Sequence, residues 1–109
     1  MQGYQLTFFT QQNRQHGDSL LAGWLVEEAK ILGIRGATLI TATEGFGHDG
    51  RFHSAEFFDL ADQPLQVVMA VSAEEMRLLF ARLEDEDVRV FYTKAPIEFG
   101  MTGKKRPGE

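Results

Sequence analysis

A chain of 109 residues with a formal net charge of −5 and a pI near 5.1 is sized for one core, because a domain of this length buries roughly 65% of its unfolded surface. The acidic balance argues against nucleic acid as a partner, since such binding rests on a basic face that displaces counterions from phosphates. Without cysteine there is no disulfide framework, thiol nucleophile or thiolate metal site, and a cytoplasmic location is expected. The opening MQGYQLTFFTQQNR has neither a basic leader nor a long apolar run, so neither a signal peptide nor membrane insertion is expected.

In chain order, Tyr4, Leu6 and Phe8 alternate with Gln5, Thr7 and Phe9, which predicts a first strand with one strongly apolar face. A polar loop over 11–15 leads to Gly17, Asp18 and Ser19, which offer capping chemistry for a helix over 18–32. Leu20, Leu21, Trp24, Leu25, Ala29 and Leu32 share one face of it, with Gly33 as terminator. ATLITATE, residues 37–44, is rich in β-branched types and predicts a second strand. A third is expected over 55–60 and 65–71, interrupted at ADQP, where Pro64 implies a bulge or an edge position. Ser72 with Glu75 forms a capping box for a second helix whose apolar face is Met76, Leu79, Phe80 and Leu83. Residues 88–93 alternate as a fourth strand, and 94–109 reads as a tail containing KKR.

The order β-α-β-β-α-β is the split arrangement of an α+β, ferredoxin-like fold: a four-stranded antiparallel sheet with both helices on one face. The other face is left open. Phe9, Ile40, Val68 and Phe91 fall on the parity opposite to the core positions, so this face is expected to be partly buried against copies of the same chain.

The stretch EGFGHDGRFH, residues 44–53, carries the densest functional chemistry. As a plain strand-exit turn it needs glycines for backbone freedom and polar residues for solvent. As a site, Gly45 and Gly47 expose backbone N–H groups beside Glu44 and Phe46, while Arg51 and His53 supply a cation and a donor for an anionic small molecule. His16, His48 and His53, with Glu44, Asp18 and Asp49, invite a metal reading, but their spacing matches no known ligand pattern and no metal or other cofactor is assigned. Ser54 adjoins His53, yet neighbours in an extended strand point to opposite faces, so a nucleophile and base pair is not expected there. The chain reads as a non-enzyme. Trp24 reads as packing, and Lys104, Lys105 and Arg106 as either a solubilising tail or an outlying phosphate contact.

GIRGATLITATEGFG, the later His53 and FFDLADQPLQVVMAV together resemble an uncharacterised family of the PII-like signalling superfamily, over about half of the chain. The resemblance implies a homotrimer whose sheets face a central axis, with effectors in the clefts between subunits. It further implies that the loop between strands two and three, here residues 44–53, relays the bound state to a protein partner. An adenine nucleotide is one effector it implies. One departure stands out: where nucleotide-binding PII proteins carry a glycine-rich basic loop after helix two, this chain has Glu84, Asp85, Glu86 and Asp87, which repel phosphate. The boundary expected from these patterns is a domain over 1–97 and a basic tail over 98–109. The alternative is a protein of CutA type, a related trimer linked to divalent metals, using His48 and His53. A carboxylate and histidine enzyme built on Glu44 and His53 is the third reading.

Overall fold

The computed structural model describes residues 1–42, the backbone of 44–46 and 52–54, and residues 63–105 and 107–108. The elements are β1 (Gln2–Gln11), β2 (Gln15–His16), β3 (Ser19–Leu20), α1 (Leu21–Ile31), β4 (Ala37–Thr41), β5 (Glu44–Phe46), β6 (Phe52–Ser54), β7 (Pro64–Val71), α2 (Ala73–Asp85) and β8 (Phe91–Glu98). The main sheet runs β4-β7-β1-β8 with every neighbour antiparallel. This is the ferredoxin-like order, with the N-terminal strand in the interior. β2 and β3 form a separate ribbon, as do β5 and β6.

Strand parity sorts the sheet into two faces. Leu6, Phe8, Val67, Met69 and Val71 turn towards Leu21, Leu25, Ala29, Leu79 and Leu83 of the helices, and all are buried. On the other face, Phe9 pairs with Phe91, their rings 5.6 Å apart, while Ile40 and Phe91 are 44% and 54% exposed. The open face predicted from the alternation is therefore present in this chain and apolar in part.

Both helices are bounded by backbone chemistry. At α2, the Ser72 hydroxyl accepts from the Glu75 N–H at 3.1 Å and the Glu75 carboxylate accepts from the Ser72 N–H at 2.8 Å, which is the expected capping box. Ser72→Ala is expected to lower stability by about 1 kcal/mol, read as a shift of the urea midpoint without change of slope. Both C-termini close by the same double bond pattern. Ile34 N–H reaches the Ala29 carbonyl and Gly33 N–H that of Lys30; Val88 N–H reaches Leu83 and Asp87 N–H reaches Glu84. Gly33 (φ 79°) fills the left-handed position in α1, and Asp87 (φ 55°) does so in α2.

Four boundaries differ from the sequence expectation. α1 begins at Leu21, with no side-chain cap, because Gly17 and Asp18 are spent on the two-residue turn that joins β2 to β3. Leu20 belongs to β3 and is exposed, not on the buried helical stripe. Pro64 is neither at a bulge nor in an edge strand: it is the first residue of the inner strand β7, where a missing N–H interrupts no ladder beyond it. Finally, residues 88–90 end the turn after α2, and the last strand runs over 91–98, extending into the expected tail. Pro96 is tolerated because β8 is a sheet edge. The expected strand segment over 55–60 lies outside the described residues.

Candidate functional site

The connection between β4 and β7 carries the sequence-predicted site. Its described backbone is a short antiparallel hairpin in which Glu44 pairs with Ser54, Gly45 with His53 and Phe46 with Phe52. Glu44, Gly45, Phe46 and His53 are thereby brought together on two paired strands, so the stretch is more regular than a plain strand-exit turn. Gly47, His48, Asp49 and Arg51 lie outside the described residues.

The main sheet holds the neck of this hairpin. The Ala42 N–H donates to the Pro64 carbonyl at 2.9 Å, and the Gln63 side-chain amide donates to the Ala42 carbonyl at 3.1 Å. The Gln63 carbonyl in turn accepts from the Gln12 N–H at 3.0 Å, tying the neck to the end of β1. A loop presented in this way has fixed ends on a rigid scaffold, the usual arrangement for a recognition element. Gln63 is not among the residues the sequence singles out; the ADQP break marks the place but not the bond.

Lys104 and Lys105 are exposed beyond β8, and Arg106 lies outside the described residues. β8 ends at Glu98 beside Gln2, whereas the hairpin leaves β4 after Thr41, beside Leu65 at the other end of the sheet. Within the chain the two predicted groups therefore start from opposite ends of the main sheet.

A second charged assembly, absent from the sequence expectation, joins the helices. Glu28 of α1 is buried, and both its carboxylate oxygens accept from Arg82 of α2, at 3.1 and 3.2 Å. The hydrogen bond from Arg82 to Glu28 holds the guanidinium more firmly protonated than an isolated one. Arg82 also lies 3.7 Å from Glu86, whose carboxylate is 3.7 Å from His16 Nε2. The His16 ring packs 4.6 Å from the half-buried Trp24. Trp24 thus lies at the edge of the core and supports the β2–β3 ribbon. The acidic turn after α2 is accordingly part of a network, not only a solvated helix end. Among the described residues no three His, Asp or Glu side chains are grouped to hold a metal ion. No helix among them is long and apolar enough to cross a membrane.

A cleft of about 320 Å³ lies between the C-terminal end of α2 and the start of β8. Phe8, Phe80 and Tyr92 form its aromatic wall, with Phe80 and Tyr92 rings 4.9 Å apart. Glu84, Asp87 and Arg89 also line it. Arg14 donates to the Arg89 carbonyl and so fastens the loop after β1 to the same turn.

Known structures share this architecture. A PII-like signalling protein from Thermus thermophilus is 24% identical, aligning over 89% of this chain and 88% of its own with a TM-score of 0.65. CPII, a nitrogen regulatory PII-like protein from Thiomonas intermedia in a structure bound to ADP, AMP and bicarbonate, is 16% identical over 89% of each chain, with a TM-score of 0.62. The same protein bound to ADP and bicarbonate aligns with a TM-score of 0.59, at 15% identity over 89% of each chain. These likenesses establish a PII-like fold. No curated protein matches the sequence. The DUF190 family model, described as "Uncharacterized ACR, COG1993", matches residues 3–98, and with nearly the whole sheet and both helices inside that span the chain belongs to this family.

Proposed function

We propose that this chain is the subunit of a PII-like homotrimeric regulator that binds a small anionic effector in the clefts between subunits and passes the bound state to a protein partner through the β4–β7 connection. The observation that carries the reading is the pairing of residues 44–46 with 52–54, set on a neck that Gln63 ties to the main sheet, in a fold shared with CPII, whose structure holds ADP and AMP. Glu44, Gly45, Phe46, Gly47, Arg51 and His53 form the effector and relay element. Lys104, Lys105 and Arg106 are the outlying cations, and their departure from the opposite end of the sheet favours a contact made to a neighbouring subunit. In this reading residues 1–97 form the regulatory domain and 98–109 the basic segment.

The open face supports the trimer. Phe9, Phe91 and Ile40 present apolar surface that water does not favour, and three copies around an axis remove it. Light scattering is expected to give three times the 12.3 kDa chain mass; a monomer at that face's native sequence would end the scheme. For the effector, a ligand that binds only the folded state raises stability by about 2.7 kcal/mol at a hundred times its Kd. A melting shift with ADP, AMP or ATP that disappears in Arg51→Ala is the expected result. A shift unaffected by Arg51→Ala would remove this loop from the site.

A further inference from the structure

We propose that the cleft between the end of α2 and the start of β8 is a second binding site, for an organic cation: an ammonium or amidinium group carried on a flat or aliphatic body. It goes beyond the anionic effector, and it lies against the sheet edge β8, opposite the edge β4 from which the hairpin springs.

Three features of the cleft, each of different physical origin, favour positive charge. The first is the wall. Phe80 and Tyr92 meet with ring centroids 4.9 Å apart at 52°, and both stand close to Phe8, at 6.3 and 6.4 Å. Phe8 is fully buried while Tyr92 is 43% exposed, so the trio is fixed from behind and open in front. Aromatic faces attract cations through their quadrupole, most strongly where water is partly excluded. The second is the lining, where the carboxylates of Glu84 and Asp87 outnumber the guanidinium of Arg89, with Arg14 outside the lining. The third is the helix end, since the C-terminus of α2 carries the negative pole of its dipole. A volume of about 320 Å³ lies at the small end of ligand sites, suited to one ring or a short chain and too small for much more. Of the other charges near this turn, Glu86 is paired with Arg82 and His16, and Arg14, held by the Arg89 carbonyl, keeps its positive charge beside Arg89.

A charge series on one body tests the site. Phenethylammonium, 2-phenylethanol and 3-phenylpropionate share a phenyl ring and differ in the charge that it carries. Titrated into the full chain and followed by backbone amide shifts, phenethylammonium is expected to saturate with shifts concentrated over residues 84–92 and a Kd at least tenfold below that of the alcohol, with the carboxylate weakest. In Asp87→Asn combined with Glu84→Gln, the ammonium Kd is expected to rise to that of the alcohol, whose own Kd stays within twofold. Asn suits the left-handed φ of residue 87 at least as well as Asp, and Asp87→Asn alone provides a folded variant in which at least a threefold loss is expected. Equal affinity across the three probes, preference for the carboxylate, shifts centred outside 84–92, or no saturation by any probe would each overturn the proposal. Arg51 plays no part in this experiment, so its result stands apart from that of the anionic effector.

Discussion

Phe8→Ala is expected to lower the unfolding free energy by about 3–5 kcal/mol, the range for deleting a fully buried aromatic side chain. The ring has no exposure, stands on the interior strand β1 opposite Val67, and meets Phe80 edge-on at 6.3 Å and Tyr92 at 6.4 Å. Its removal therefore opens a cavity where α2, β1 and β8 converge. Against a total stability of about 5–15 kcal/mol for a domain of this kind, that is a large fraction. The melting temperature is expected to fall by roughly 15–30 °C in calorimetry. A loss below about 1 kcal/mol would mean that Phe8 is not the point where these three elements meet.

Gly3→Ala is expected to be nearly as damaging, for a steric reason. A Cβ built on Gly3 would lie 2.0 Å from the carbonyl oxygen of Val71 and 2.8 Å from the Phe99 ring. The first of these is backbone, so relief requires the end of β7 to move, and Val71 directly precedes Ser72, the N-cap of α2. Overpacking of this severity is expected to cost about 3 kcal/mol. The same chemical change at Gly23 is expected to have the opposite sign. Gly23 is exposed within α1 with nothing within 4 Å of its would-be Cβ, so alanine there gains about 0.5–1 kcal/mol from helix propensity. Chemical denaturation of the two variants side by side checks both values. A neutral Gly3→Ala would show that the β1–β7 approach is looser than the geometry requires.

Features coded locally are legible in the sequence. The Ser72 and Glu75 capping box, the Gly33 terminator and the alternation of β1 and β7 each rest on residues within one turn or one strand of each other, and each is present. The β-α-β-β-α-β order then points to the sheet order that is observed, β4-β7-β1-β8. Ambiguity arises where one residue serves two purposes. Asp18 and Ser19 are good caps, but with Gly17 they also make a ribbon turn, and the ribbon prevails. Val88 alternates like a strand residue, but its N–H closes the end of α2. Residues 94–98 read as tail, although Pro96 is compatible with an edge strand that pairs on one side alone. The long-range partners have no local mark at all. Glu28 and Arg82 lie 54 residues apart, and nothing in either neighbourhood distinguishes a buried carboxylate from the many solvated ones. For the candidate site, the glycine and histidine content of 44–53 singles out the β4–β7 connection, while the hairpin pairing and the Gln63 tether depend on register that composition does not carry.

The interior place of β1 has a consequence for synthesis. Its two hydrogen-bonding neighbours are residues 64–71 and 91–98, so neither edge of β1 can be satisfied until those distant segments have been made. Helices form from nearby residues in the meantime, whereas the aromatic-rich LTFF segment must wait with both flanks open during elongation. That waiting stretch is where a nascent-chain chaperone has most to protect, and where slow translation of the codons for residues 64–98 would most increase misassembly.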